Sequence, residues 1–163
     1  MNILLLSGDS GKRLWPLSNG VRSRQFLQIL RSPSGEYESV AQRVYRQILR
    51  ADKETKIVVA ASKLQIPAIR NQLDEDVEIC VEPKRRNTFP AVALSVAWMA
   101  EKREMPDEEI IIVCPMDTYA DDDYFQTLGT LAQIVSRGDA EIALVGIAPA
   151  YPSEKYGYLL PDS

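Results

Sequence analysis

At 163 residues the chain is sized for one domain, and a formal net charge of −4 with acidic and basic residues interspersed gives no general attraction to nucleic acid or an anionic membrane. Any anion site must therefore be local. There is no histidine, which excludes Ser-His-Asp and Cys-His nucleophile systems, histidine general bases and histidine metal sites, and leaves carboxylates, cations, backbone amides or a hard metal ion to carry any chemistry.

A domain of this length buries roughly 70% of the surface that its unfolded chain exposes, so no disulfide or metal is needed to hold it. The amino terminus has no basic n-region, and its apolar run breaks at Ser7 and Gly8. It suits neither a signal peptide nor a membrane span, and the expected location is the cytoplasm. Cys80 and Cys114 each sit inside a strand-like apolar run, which favours buried free thiols over a staple or zinc site.

In chain order, strand-like runs are predicted at Asn2–Ser7, Lys56–Ala61, Val77–Glu82, Glu109–Pro115 and Glu141–Ala148. Between them lie segments of helical spacing. In Ser39–Ala51 the residues Val40, Ala41, Val44, Tyr45, Ile48 and Leu49 make one apolar face, and Ser39 with Gln42 has the spacing of a capping box. Leu64–Leu73 forms a helix only if Pro67 falls in its first turn. Pro90–Arg103 opens on a proline, and Asp121–Arg137 runs from an acidic N-cap candidate to a terminating Gly138.

Strands alternating with helical crossovers imply an α/β fold, Rossmann-like, with a mostly parallel sheet between two helical layers. Residues 1–163 then form one layered domain without repeat or linker. Ligands in such sheets sit beyond the carboxyl ends of the strands. The loops expected there are Gly8–Ser18, Glu82–Thr88, Met116–Ala120 and Ala148–Tyr158.

The first loop, Gly8-Asp9-Ser10-Gly11-Lys12-Arg13, follows an apolar run too short for a helix and ends in two basic residues. This arrangement presents backbone N–H groups and positive charge to a phosphate. It is neither a Walker loop nor the dinucleotide G-x-G-x-x-G pattern. In the second loop, Glu82-Pro83-Lys84-Arg85-Arg86-Asn87-Thr88, Asn87 or Thr88 can cap the helix opened by Pro90, and the basic triplet taken alone is a solvated face. In the third, Asp117 leaves the most apolar strand, as a turn former or as a ligand for a cation such as Mg²⁺. The run Asp121-Asp122-Asp123 is explained more simply by the start of a helix.

These stretches resemble sugar-1-phosphate nucleotidyltransferases, and the mannose-1-phosphate guanylyltransferase branch in particular. The stretch from Gly8 to Ser18, followed by Arg24-Gln25-Phe26-Leu27, is similar to G-G-x-G-T-R-L-W-P-L-S and P-K-Q-F-L. Glu82-Pro83 with Arg86-Asn87-Thr88 is similar to E-P-x-x-R-N-T, Pro115-Met116-Asp117 to P-x-D-H, and Gly157-Tyr158 to the G-Y of G-Y-G-Y-I. Asp9, Lys12, Ser23-Arg24, Phe89 and Thr118 depart from the family pattern.

The resemblance implies transfer of GMP from GTP to mannose 1-phosphate, with Mg²⁺ as cofactor. It implies catalytic roles for Arg13 and Arg24, and nucleotide binding by Gly8, Ser10, Gly11, Glu82, Arg86, Asn87 and Thr88. Gly157 and Tyr158 would border the sugar, and Asp117 would hold the metal. Family members extend well past the Gly-Tyr pair, so the chain corresponds to the N-terminal nucleotide-binding portion, with the C-terminal sugar-binding portion absent. The alternatives are a nucleotide-binding module without turnover, or the same chemistry on another sugar 1-phosphate or nucleotide. A sheet cut short leaves apolar surface uncovered, and self-association is expected.

Overall fold

The computed structural model describes residues 1–8, 14–19, 23–154 and 157–160. Four strands, β1 (Asn2–Leu6), β4 (Lys56–Ser62), β5 (Glu78–Glu82) and β6 (Ile111–Pro115), form a sheet in the order β5-β4-β1-β6. Every pairing in it is parallel, with Leu4 opposite Val58 on one side and Val113 on the other. All four carboxyl ends therefore lie along one edge. The chain moves outward from β1 to β4 and β5, then crosses back to place β6 on the far side of β1. That reversal makes the crevice between β1 and β6 a topological switch point, where ligands of open α/β sheets collect.

The period-2 alternation of the strands sorts two cores. Ile3, Leu5, Val59 and Cys114 face one layer, where they meet Val44 and Ile48 of α1 (Val40–Ala51), Ile69 of α2 (Ile66–Gln72) and Phe125 and Leu128 of α4 (Asp122–Ser136). Leu4, Val58, Ala60 and Cys80 face the other, against Met99 of α3 (Thr88–Arg103). Helices pack on both faces, as an all-parallel sheet requires, although Val81 and Val113 on the edge strands stay partly exposed. Cys80 and Cys114 are buried and free, as expected.

Local chemistry explains most boundaries. The Ser39–Gln42 capping box forms, with Gln42 N–H donating to Ser39 Oγ at 3.2 Å and Ser39 N–H to Gln42 Oε1 at 3.0 Å. Pro67 falls in the first turn of α2, where its missing N–H costs nothing. Gly138 takes φ +75° just beyond α4, a backbone geometry that glycine adopts without penalty.

Two expectations need correction, and one element is added. Glu141–Ala148 forms no strand: it runs as coil, with Ile142 and Leu144 largely exposed and no ladder partner for it among the described residues. Helix α3 starts at Thr88, two residues before the proline expected to open it. A small antiparallel hairpin, β2 (Leu30–Arg31) with β3 (Tyr37–Glu38), adds to the predicted elements, since two-residue strands leave no period to detect.

Candidate active site

Strand β1 delivers Ser7 and Gly8 to the sheet edge, where Ser7 N–H donates to Ala60 O at 3.0 Å and extends the pairing one step past the strand. Strand β5 ends on Glu82, which is buried at 9% exposure. Between these ends lies a cleft of about 350 Å³ lined by Leu6, Ser7, Gly8, Glu82, Arg85, Asn87, Thr88 and Ala91. One anion-seeking group, the amino end of α3, borders the same cleft as a buried carboxylate.

Asn87 precedes α3 with φ 68° and ψ −171°, and its side chain makes no capping bond. A non-glycine residue there costs about 1–3 kcal/mol, strain of a kind that persists where the surroundings fix it and that gathers at ligand sites. Of the two cap candidates, Asn87 takes the N-cap position without a side-chain cap, and Thr88 is the first residue of the helix. Without that cap, and with Thr88 and Ala91 lining the cleft, the first turn of α3 borders it with an end that favours an anion.

On the β6 side the segment from Ser23 brings Arg24 into contact with Asp117, and the guanidinium donates to the carboxylate across the switch point. Helix α1 steadies the loop after β6: Gln47 Nε2 donates to Ala120 O at 3.1 Å and to Asp122 Oδ1 at 2.8 Å, and the Arg43 guanidinium lies over the Tyr119 ring. The Gln47 hydrogen bond lowers the Asp122 carboxyl below its ordinary value, with help from Arg50. Burial pushes the Cys114 thiol up to about 11, the nearby Asp117 charge adds to the rise, and Tyr124 offsets part of it.

The structure brings Gly8, Glu82, Asn87 and Thr88 together at one cleft, with Arg24 and Asp117 paired beside it. Ser10, Gly11 and Arg13 lie outside the described residues. Arg86 is exposed and does not line the cleft, whereas its neighbour Arg85 does, donating to Ser7 O at 3.3 Å. Gly157 and Tyr158 are not brought to this cleft. The Tyr158 hydroxyl accepts from Ser153 N–H at 2.6 Å and lines a separate hollow with Pro149 and Tyr151.

Sequence reasoning missed Arg85, Ser7 and the buried glutamines behind them. Gln65 was legible in principle, because Ser62-x-x-Gln65 has capping-box spacing and marks a helix start.

For the Mg²⁺ implied by the resemblance, the described residues contain no group of three or more potential ligands, so a closed protein cage is not what they offer. One carboxylate at a phosphate site does suit a magnesium ion, which is commonly held by one or two carboxylates together with substrate phosphates and water.

A larger cavity of about 560 Å³ opens at the opposite end of the strands, lined by Met1, Asp52, Glu108, Glu109 and Phe125 among others. Its carboxylates oppose an anion, and the amino terminus there is already 3.4 Å from Asp52. Among the described residues no helix is long and apolar enough to cross a membrane.

Comparison with known proteins agrees with this fold. A family profile described as nucleotidyl transferase matches residues 2–163. The chain is 31% identical over 159 residues to the alginate biosynthesis protein AlgA of Pseudomonas fluorescens, covering 96% of this chain and 31% of that protein. It is 28% identical over 166 residues to mannose-1-phosphate guanylyltransferase of Escherichia coli, with 96% and 32% covered. A crystal structure described as mannose-1-phosphate geranyltransferase from Thermus thermophilus superposes with TM-score 0.65 at 27% identity, covering 84% of this chain and 38% of that one. The chain thus spans about a third of the length of these curated relatives. With the parallel sheet, the cleft at its carboxyl edge and a family match over nearly every residue, the chain belongs to the nucleotidyl transferase family.

Proposed function

We propose that this chain is the nucleotide-binding part of an enzyme that transfers GMP from GTP to mannose 1-phosphate, giving GDP-mannose and pyrophosphate. The observation that carries it is the juxtaposition, at one cleft, of a buried carboxylate, Glu82, with the β1 terminus and the amino end of α3. Glu82 accepts from the N1–H and N2–H of guanine, and the backbone of Gly8 and the first turn of α3 take phosphate oxygens. Ser10, Gly11 and Arg13 join the phosphate site on their sequence pattern alone, as does Arg86.

A phosphate oxygen of the sugar 1-phosphate attacks the α-phosphorus of GTP. The bond from that phosphorus to the bridging β-oxygen breaks, and pyrophosphate leaves with the electron pair. The protein's part is alignment and charge stabilisation. Arg24 offsets charge at the α-phosphate, which requires its pairing with Asp117 to open, and Asp117 would hold Mg²⁺. That ion, when bound, draws charge from the phosphate oxygens. Gly157 and Tyr158 border the sugar only after the tail carrying them has moved to the cleft. The protein works in the cytoplasm, and copies self-associate through uncovered apolar surface.

Pyrophosphate release from GTP, mannose 1-phosphate and Mg²⁺ tests this, with the other nucleoside triphosphates and sugar 1-phosphates as comparison substrates. Release that prefers GTP and mannose 1-phosphate supports it, and release with another pair redirects the substrate. A second reading, a nucleotide-binding module without turnover, is favoured by the pairing of Arg24 with Asp117, which engages both groups assigned to the phosphates and the metal. GTP binding without release would select it.

A further inference from the structure

The ladder of β1 ends at Ser7, and Ser23 stands directly before Arg24 at the start of a short 3-10 turn over Arg24–Phe26. One side chain touches both points. Gln65, fully buried at 0% exposure, donates from Nε2 to Ser7 O at 2.9 Å and to Ser23 Oγ at 3.1 Å. Its other amide atom is committed as well: Oε1 accepts from Ser62 N–H at 3.0 Å and from Ser62 Oγ at 3.1 Å. The Ser62 N–H can only donate, so it fixes which end of the amide faces Ser7.

Ser7 is held from other directions too. Its hydroxyl accepts from Gln25 Nε2 at 2.9 Å, and Ser7 and Ser23 are 2% and 1% exposed. Water does not compete well for hydrogen bonds at such depth, and a donor lost there leaves a buried acceptor short of a partner.

We propose that Gln65 is a positioning residue, a clasp that joins the end of β1 to the start of the Arg24 segment and so sets Gly8 and Arg24 in register with each other. The role of those two residues rests on the nucleotide reading above; the clasp itself does not. Gln65 touches no reacting atom in this scheme. It fixes the separation between the backbone that receives phosphate and the cation that serves the α-phosphate, and small misplacements of such groups are expensive in rate.

The substitution Gln65→Glu separates the two functions of the side chain. A carboxylate keeps the acceptor for Ser62 and loses both donors to Ser7 and Ser23. Two measurements on the full chain then apply: amide hydrogen exchange by residue, and GTP affinity in the presence of Mg²⁺. The clasp predicts that exchange at Gly8 and over Arg24–Leu27 quickens about tenfold or more, while Leu4, Val58 and Val59 in the sheet are unchanged. Equal exchange in variant and wild type overturns it.

Should Gln65→Glu fail to fold, Ser23→Ala removes one of the two acceptors and leaves Gln65 intact. A rise of about threefold or more over Arg24–Leu27 is then expected, and none contradicts the proposal. GTP affinity judges the other claim: it falls about tenfold in Gln65→Glu if the positioned groups hold nucleotide. Faster exchange in a chain whose wild type binds no GTP keeps the clasp and sinks the nucleotide site. Unchanged exchange with intact GTP binding does the reverse.

Discussion

Arg24 and Asp117, separated by 93 positions in sequence, meet as an ion pair across the crevice between β1 and β6. Each is about one-third exposed, so solvent screens the pair and its net contribution to folding is small, about 1 kcal/mol or less. Their importance is then to ligands. Arg24→Ala or Asp117→Asn should shift the melting temperature by a few degrees at most and lower pyrophosphate release by about a hundredfold or more. Unfolding scans beside the release assay check both halves, and a large stability loss with little loss of turnover would make the pair structural.

Glu82 should decide the base. Hydrogen bonds to a charged acceptor contribute about 1.5–3 kcal/mol, so Glu82→Gln should weaken GTP binding by roughly tenfold to a hundredfold. It should also shrink the preference for GTP over ITP, whose base lacks the 2-amino donor. Titration calorimetry with both nucleotides reads the ratio, and an unchanged preference would remove Glu82 from base recognition.

How much of this was legible in the sequence follows from the range of the forces involved. Strands β1, β4 and β6 announced themselves as near-continuous apolar runs and β5 as a short apolar core between Glu78 and Glu82, and the Ser39 cap is a contact within four residues. Glu82, Asp117 and Gly8 could be placed at one edge because the order of elements dictates it. The meeting of Arg24 with Asp117 could not, since it is a contact between residues 93 positions apart that no local pattern encodes. Glu141–Ala148 shows the opposite failure: β-branched and apolar residues made a strand pattern, but pairing is a tertiary event and no partner is present among the described residues.

That uncovered region makes its own prediction. Val113 on the edge strand β6 is 41% exposed, and Ile142 and Leu144 nearby are more so. Edge strands with apolar neighbours seek company. Sedimentation velocity should show association rising with concentration and weakened by Val113→Lys; a monodisperse monomer at high concentration would contradict it.

Acid stability should report on Glu78. Burial alone would raise its carboxyl, but hydrogen bonds and charge from Arg103, at 2.6 and 3.0 Å, and from Lys102 outweigh burial and hold it below its ordinary value. A carboxyl lowered on folding stabilises above its unfolded value, about pH 4.3, and that stabilisation is lost as pH falls through the folded value. The wild type's lead in melting temperature over Glu78→Gln should therefore be full at about pH 6 and shrink toward about pH 3. A lead independent of pH would rule out the ion pair as its source.

The central claim, that nucleotide binds at the carboxyl edge between β1 and β5, is tested most directly by titrating the ¹⁵N-labelled chain with GTP and Mg²⁺ and following the amide resonances. Saturable shifts at Gly8, Glu82, Asn87 and Thr88 are predicted. Shifts confined to Asp52, Glu109 and Gly129 at the opposite end of the sheet, or none at millimolar GTP, would contradict it.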